Sequence, residues 1–145
     1  MSSRTVVKTA PNRQSSTGNL DLLFAIDRST DLPIDLTNQL KLATELVDEL
    51  TDEDISEGRI RVAIISFAQN ARMDLKWDDA TNKADIFNKL SSIEYADGNS
   101  STVAGIKLVT EYAQTARRAG VRLMIILVSD GNSQDLWHSV TETAK

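Results

Sequence analysis

Three short apolar runs, separated by segments with helical periodicity, constrain the fold of this chain most strongly. The runs are Leu20–Ile26, Ile60–Phe67 and Val121–Val128, and the first ends abruptly at Asp27. Continuous apolar runs of this length are typical of strands that are buried on both faces of a sheet. Between them, apolar residues recur at steps of three and four, as on one face of a helix. This alternation predicts parallel strands joined by crossover helices.

A fourth strand and several helices complete the predicted order β-α-β-β-α-α-β-α. The segment Arg72–Trp77 alternates apolar and polar residues, and the short link Ala68–Ala71 makes it a hairpin partner of the second run. The predicted helices are Pro33–Thr51, Asp85–Ile93, about Val103–Arg118 and Gln134–Lys145. We therefore expect a doubly wound α/β fold, with a mostly parallel sheet, one antiparallel edge strand and helices on both faces.

The chain of 145 residues is long enough for about one domain. Residues 1–18 are rich in Ser, Thr, Asn and Arg, and we predict a disordered arm there, followed by one domain over residues 19–145. No segment approaches the roughly 20 apolar residues that cross a bilayer, so membrane insertion is not expected. The polar N-terminus lacks the apolar run of a secretory signal.

Charge and cysteine content exclude several classes of site. The net charge is -5, and no basic stripe interleaved with aromatic residues is present, so we do not expect nucleic acid as a partner. Cysteine is absent, which excludes disulfides and thiolate metal sites but does not decide the redox compartment.

Oxygen-bearing side chains follow the predicted parallel strands at the points where these strands end. Asp27 closes the first strand and is followed by Ser29 and Asp31, while Asp130 follows the last. The hydroxyl-rich loop around Ser100 lies between them in sequence. Ligands of open parallel sheets bind at the carboxyl ends of the strands. Oxygen donors without imidazole or thiolate favour Mg²⁺, Ca²⁺ or Mn²⁺.

These segments resemble three motifs of von Willebrand factor A-type domains, which are related to integrin inserted domains. Phe24–Asp31 (FAIDRSTD) resembles the D-x-S-x-S signature, and Tyr95–Thr102 (YADGNSST) looks like the family's Gly-and-Thr loop. Leu127–Ser133 (LVSDGNS) resembles the third segment, in which a strand ends in Thr/Ser-Asp-Gly. The three occur in family order and at family spacing, and the resemblance covers residues 20–145.

The resemblance implies a Rossmann-like fold with a metal-ion-dependent adhesion site. A divalent cation (Mg²⁺, Ca²⁺ or Mn²⁺) would be surrounded, directly or through water, by Asp27, Ser29, Asp31, Ser100 and Asp130. One coordination position would stay open for an acidic side chain of a protein partner.

Two positions depart from the family pattern. Ser100 stands where Thr is usual and retains the hydroxyl. Asp31 stands where the second Ser is usual, and a third carboxylate lowers the formal charge of ion and ligands from neutral to about -1. We expect this site to hold its ion more tightly, to prefer Ca²⁺ more, and to capture carboxylates less well than the family norm.

Each proposed ligand also has a purely structural alternative. Asp27 could be a turn or cap residue, and Asp130-Gly131 is a common turn dipeptide. Ser29 and Ser100 could bond their own backbone, and Asp31, two residues before Pro33, could cap the first long helix.

The family usually continues beyond the last predicted helix with further parallel strands and a final helix, which are missing here. With the family's strand order, Val121–Val128 would then lie at an exposed edge of the sheet. We expect either that the chain is a fragment or an isoform, or that it self-associates through this edge.

Functionally, the resemblance implies a non-enzymatic adhesion or scaffold module in an extracellular or cell-surface setting. One alternative is an intracellular scaffold within a larger complex. Another is a metal-dependent phosphotransferase with Asp27 as the nucleophile. However, no D-x-D-x-[TV] run follows the first strand, and no lysine ends an apolar strand.

Overall fold

The computed structural model describes residues 6–9, 19–30, 32–97 and 101–129. Within these residues the strands are β1 (Val6–Thr9), β2 (Leu20–Asp27), β3 (Ile60–Phe67), β4 (Ala71–Leu75) and β5 (Arg122–Ser129). The helices are α1 (Pro33–Asp48), α2 (Asp52–Ser56), α3 (Lys83–Ser91) and α4 (Thr102–Ala116).

The strands form one mixed sheet in the order β1-β5-β2-β3-β4. Strand β2 pairs in parallel with β3 and with β5, while β4 runs antiparallel to β3 at one edge. Asp27 lies opposite Phe67, and Ile26 lies opposite Val128. The carboxyl ends of β2, β3 and β5 are therefore level along one edge of the sheet. The predicted α/β fold is confirmed.

The two faces of the sheet are covered by different helices because successive strand side chains point to opposite faces. One core joins alternate residues of β2, β3 and β5 to α1, α2 and α3, including Leu36, Val47, Ile55, Ile86 and Leu90. The other core joins the intervening strand residues to α4, including Val109 and Ala113. The chain leaves β2 along one face and enters β5 from the other.

The predicted helix Pro33–Thr51 ends three residues early, and a short second helix follows it. Helix α1 ends at Asp48, and the hydroxyl of Thr51 accepts a hydrogen bond from the Asp54 amide (3.1 Å) as the N-cap of the short helix α2. A capping threonine satisfies an amide that would otherwise have no partner, so a new helix starts where a turn was expected.

Trp77 lies beyond the strand that was predicted to contain it. Strand β4 ends at Leu75, and the buried indole of Trp77 donates to the carbonyl of Leu22 at 2.8 Å. Its ring stacks on Tyr112 with centroids 4.8 Å apart. Trp77 is therefore a core residue on the face of the sheet that α4 covers, and not a residue of the edge strand.

Strand β1 corrects two predictions. Val6–Thr9 lies within the segment for which disorder was predicted, yet it pairs antiparallel with β5, from Val6 opposite Ser129 to Thr9 opposite Ile126. The prediction of an exposed edge along Val121–Val128 is therefore wrong at Ile126–Val128, which β1 covers. Two valines and a threonine favour extended structure, and an unpaired strand edge offers backbone groups to them. The remainder of the arm and the predicted helix Gln134–Lys145 lie outside the described residues.

A buried ion network closes the amino end of the sheet. The side chain of Asp21 is fully buried, and its carboxylate accepts hydrogen bonds from the guanidinium groups of Arg61 (2.9 Å) and Arg118 (2.9 Å) and from the Arg118 amide (2.7 Å). Burial alone raises the pKa of Asp21, but the hydrogen bonds from the two arginines outweigh it and hold the pKa below its ordinary value of 3.8.

Candidate metal centre

Asp27 and Ser29 meet at the carboxyl end of β2. Asp27 is the last residue of the strand and is only 4% exposed. Its Oδ1 accepts hydrogen bonds from the Ser29 amide at 3.0 Å and from the Ser29 hydroxyl at 3.1 Å. The side-chain oxygen atoms of two of the five predicted ligands are thus within hydrogen-bonding distance of each other.

The loop that follows Asp27 is fixed on two sides. The Arg28 amide donates to the Phe67 carbonyl at 2.9 Å, which extends the pairing with β3, and the Arg28 carbonyl accepts from the Ala96 amide at 3.0 Å. The Tyr95 hydroxyl donates to the Thr30 carbonyl at 3.1 Å. These bonds connect the loop after β2 to the loop that precedes α4.

Gln39 of α1 holds the backbone of Asp27 in place through a hydrogen bond, and the sequence prediction did not include this residue. Its side chain is 1% exposed, and its Nε2 donates to the backbone carbonyl of Asp27 at 2.6 Å. A glutamine close to the apolar face that Leu36, Ala43 and Val47 define is the sequence signal for this contact, because a buried amide requires a hydrogen-bond partner.

The start of α1 bears on the alternative role of Asp31 as a helix cap. The N-cap residue is Leu32, and the carboxylate of Asp35 accepts a hydrogen bond from the Leu32 amide at 3.2 Å. The Thr30 hydroxyl donates to the Leu32 carbonyl at 2.8 Å. The N-cap therefore falls one residue after Asp31, which itself lies outside the described residues.

The start of α4 is held against the end of β3. The Ser101 hydroxyl caps α4 by accepting from the Ala104 amide at 3.2 Å, and the Ser101 amide donates to the Ala68 carbonyl at 2.6 Å. Gly105 lies so close to Phe67 that an added Cβ would meet the ring at 2.6 Å. The Ser101 hydroxyl therefore caps the helix, and the assignment of Ser100 as the hydroxyl ligand in this loop stays a prediction.

Two further predicted ligands, Ser100 and Asp130, also lie outside the described residues. Strand β5 brings the chain to Ser129, which is 1% exposed and is the residue before Asp130. Three of the five predicted ligands thus lie outside the described ranges. Within those ranges, there is no group of three carboxylate, imidazole or thiol side chains that could hold a metal ion.

The donors that are described fit a hard cation. A carboxylate oxygen and a hydroxyl oxygen lie 3.1 Å apart at the edge of the sheet, and both are ligand types that Mg²⁺, Ca²⁺ and Mn²⁺ accept. The strand order places them where ligands of open sheets bind, since β2 has its successor β3 on one side and β5 on the other.

Comparison with known proteins gives one matching family. The von Willebrand factor type A domain family matches residues 21–145. Vitrin from Homo sapiens is 28% identical over 116 residues, which cover 79% of this chain and 17% of vitrin. The collagen alpha-4(VI) chain of Mus musculus is 23% identical over 130 residues, covering 86% of this chain and 6% of the collagen chain. The chain thus spans less than a fifth of either relative.

Solved structures share the fold. One is proximal thread matrix protein 1 from the mussel byssus with a zinc-occupied MIDAS motif, at a TM-score of 0.57 and 21% identity, covering 81% of this chain and 28% of that protein. Another is the vWF domain of the type V pili tip protein Mfa5 from Porphyromonas gingivalis, at a TM-score of 0.61 and 16% identity, covering 75% and 37%.

A membrane-crossing helix would have to be both long and apolar, and no helix within the described residues meets that requirement.

Proposed function

Since this chain belongs to the von Willebrand factor type A domain family, we propose that it binds a protein partner through a divalent cation at the carboxyl end of its sheet. The proposed ligands of the ion are Asp27, Ser29, Asp31, Ser100 and Asp130. The observation that carries the proposal is the meeting of the Asp27 carboxylate and the Ser29 hydroxyl at 3.1 Å, at the end of the central strand.

The surroundings of this pair support a fixed site. Gln39 holds the Asp27 carbonyl from α1, and the Phe67 carbonyl holds the Arg28 amide from β3. A ligand set that is oriented before the ion arrives loses less conformational freedom on binding. A hard cation with an open coordination position would then attract a carboxylate of the partner protein.

The relatives support the setting that we propose, which is extracellular or at the cell surface. One matching protein is a collagen chain and another is a thread matrix protein, and the latter has a zinc-occupied MIDAS motif. We propose a binding role without catalysis. Incubation with a generic phosphomonoester and Mg²⁺ should therefore release no phosphate, and release that depends on Asp27 would contradict this.

The direct test is a calorimetric titration of the wild type and of Asp27→Ala with Mg²⁺, Mn²⁺ and Ca²⁺. We expect the wild type to bind at one site and Asp27→Ala to lose that binding, because the substitution removes a charged ligand. Asp48→Ala is the matched control, since Asp48 is 74% exposed at the far end of α1 and should leave the titration unchanged. Equal binding by Asp27→Ala and the wild type would refute the proposed site.

The choice of ion tests the role of Asp31. A third carboxylate retains the ion more strongly and leaves less positive charge for the partner. Asp31→Ser should bind Mg²⁺ and Ca²⁺ more weakly, with the greater loss for Ca²⁺. Tighter Mg²⁺ binding by Asp31→Ser would contradict this assignment.

A further inference from the structure

Strand β1 pairs with the part of β5 that leads directly to the proposed cation site. Val6 lies opposite Ser129 and Thr9 lies opposite Ile126, so β1 is paired with the last four residues of β5. The next residue of the chain is Asp130, one of the proposed ligands. The backbone immediately before this ligand is therefore paired with a strand from the other end of the chain.

The pairing of β5 with β1 reaches one residue further than its pairing with β2. Between β2 and β5 the register ends with Ile26 opposite Val128, whereas between β1 and β5 it includes Ser129. Strand β2 itself ends with Asp27, the other aspartate at this edge of the sheet. Strand β2 therefore fixes the position of Asp27, while β1 extends the paired part of β5 to its last residue.

Strand β1 can open without unfolding of the domain. It has four residues, it lies at the edge of the sheet, and among the described residues it pairs with β5 alone. Strand β2, in contrast, has eight residues and is paired on both sides. Peripheral elements with few contacts open at a lower free-energy cost than central strands. Opening of β1 is therefore an equilibrium separate from global unfolding.

We propose that β1 is a positioning strand for the cation site, so that cation affinity is high while β1 is paired with β5 and lower when β1 is open. The inference rests on the proposed function, in which Asp130 is a ligand of the ion. A ligand whose backbone is already fixed loses less conformational freedom on binding. Because linkage is reciprocal, the cation stabilises the pairing of β1 in turn. The strand thus regulates the site without contributing a ligand to it.

The first test measures Mg²⁺ affinity by calorimetry in variants of the full chain. Val7→Gly removes a β-branched side chain and should weaken Mg²⁺ binding about fivefold, the factor that corresponds to the span of strand propensities. Val7→Ile should bind Mg²⁺ as the wild type does, because isoleucine also favours strands. Ser15→Gly, which lies between β1 and β2 in the sequence, is the matched control and should leave the affinity unchanged.

A disulfide separates positioning from any general effect of substitution. The chain has no cysteine, and Val7 lies opposite Val128, so Val7→Cys with Val128→Cys introduces a single possible bridge. Opposite residues of an antiparallel pair have Cα atoms about 4.5–5.5 Å apart, which a disulfide can span. In a protein that also carries Val6→Gly, the oxidised form should bind Mg²⁺ like the wild type, and the reduced form about fivefold more weakly.

Hydrogen exchange provides the reciprocal measurement. Saturating Mg²⁺ should slow exchange of the β1 amides in the wild type by a similar factor and should have no effect on them in Asp27→Ala. An unchanged rate in the wild type that binds Mg²⁺ would contradict the coupling.

The failures of the two proposals are distinguishable. If Val7→Gly binds Mg²⁺ as tightly as the wild type, or if the oxidised and reduced forms of the bridged variant bind equally, the positioning role is overturned and the cation site stands. The same holds if Ser15→Gly weakens binding as much as Val7→Gly does. Absence of Mg²⁺ binding by the wild type, or binding that Asp27→Ala retains in full, counts against the cation site and the positioning strand together.

Discussion

Strand β2 carries a buried aspartate at each end, and the protein surrounds the two very differently. At the amino end, the fully buried Asp21 accepts hydrogen bonds from the guanidinium groups of Arg61 and Arg118. At the carboxyl end, Asp27 is 4% exposed and accepts from the uncharged amide and hydroxyl of Ser29. The two residues are six positions apart on the same strand.

Asp21 is a carboxylate that stabilises the fold, whereas Asp27 is one that we propose binds a cation. The protein's own cations compensate the charge of Asp21, so this residue can connect β2, β3 and the segment before β5. The amide and hydroxyl of Ser29 orient the Asp27 carboxylate at the end of the sheet where we propose that the cation binds. Stability should therefore depend on the amino end, and ion binding on the carboxyl end.

Asp21→Ala gives the largest expected effect. It leaves two arginines beside a cavity without their common partner, and removing one member of a buried ion pair costs about 3–5 kcal/mol of unfolding free energy. Urea denaturation in EDTA measures the loss, and Asp27→Ala is the matched comparison, for which we expect a clearly smaller change. Equal losses in the two variants, or a loss of cation binding by folded Asp21→Ala, would remove the distinction between the ends.

Acid unfolding tests the charge at the amino end. Because the pKa of Asp21 lies below 3.8 in the folded state, its contribution to stability is complete above about pH 4 and is lost as the pH falls through the lower folded value. Urea midpoints measured from pH 5 down to pH 2 should therefore fall less steeply for Asp21→Asn than for the wild type. Asp48→Asn is the control, because the side chain of Asp48 is 74% exposed and its surface pair with Lys83 contributes little to stability. An unchanged slope in Asp21→Asn would contradict this prediction.

Gly105→Ala tests whether the carboxyl end depends on packing. The added Cβ would lie 2.6 Å from Cγ and 2.8 Å from Cδ1 of Phe67, so the ring must move. Overpacking of this kind costs about 1–3 kcal/mol, against a gain in helix propensity of about 1 kcal/mol. Movement of Phe67 also disturbs its hydrogen bond with Arg28, so cation affinity should fall. Lys107→Ala, on an exposed part of α4, is the control, and equal urea midpoints for the two variants would show that Phe67 adapts freely.

The central elements of the fold could be predicted because their signals are local. The strand Ile60–Phe67 has the predicted bounds, since a continuous apolar run needs no knowledge of its neighbours. Asp27 and Ser29 could be predicted as a pair because a strand end and a two-residue spacing bring them together. The family profile matches the region in which the three motifs lie.

Other features could not be predicted because they depend on residues that are distant in sequence. The segment Val6–Thr9 is too short, and its sequence context too polar, for a strand to be predicted there. It is a strand because it pairs with β5. Arg118 binds Asp21, which is 97 residues away in the sequence. Such pairings are set by the assembled sheet and leave no periodicity in the sequence.

Gln39→Leu is the substitution with the smallest expected effect, and it tests the support that α1 gives to the carboxyl end of β2. The leucine keeps the volume of the side chain but leaves the Asp27 carbonyl without its donor from α1, and an unsatisfied buried acceptor costs about 1 kcal/mol or somewhat more. Stability should fall only slightly, since the apolar leucine offsets part of the loss, while cation affinity should fall more noticeably because the Asp27 backbone loses its anchor. Asn38→Leu, at the exposed neighbouring position, should change neither quantity. If Gln39→Leu lowers stability but leaves the calorimetric titration untouched, then the carboxyl end is held by β3 and the Ser29 loop alone, and α1 serves the core rather than the site.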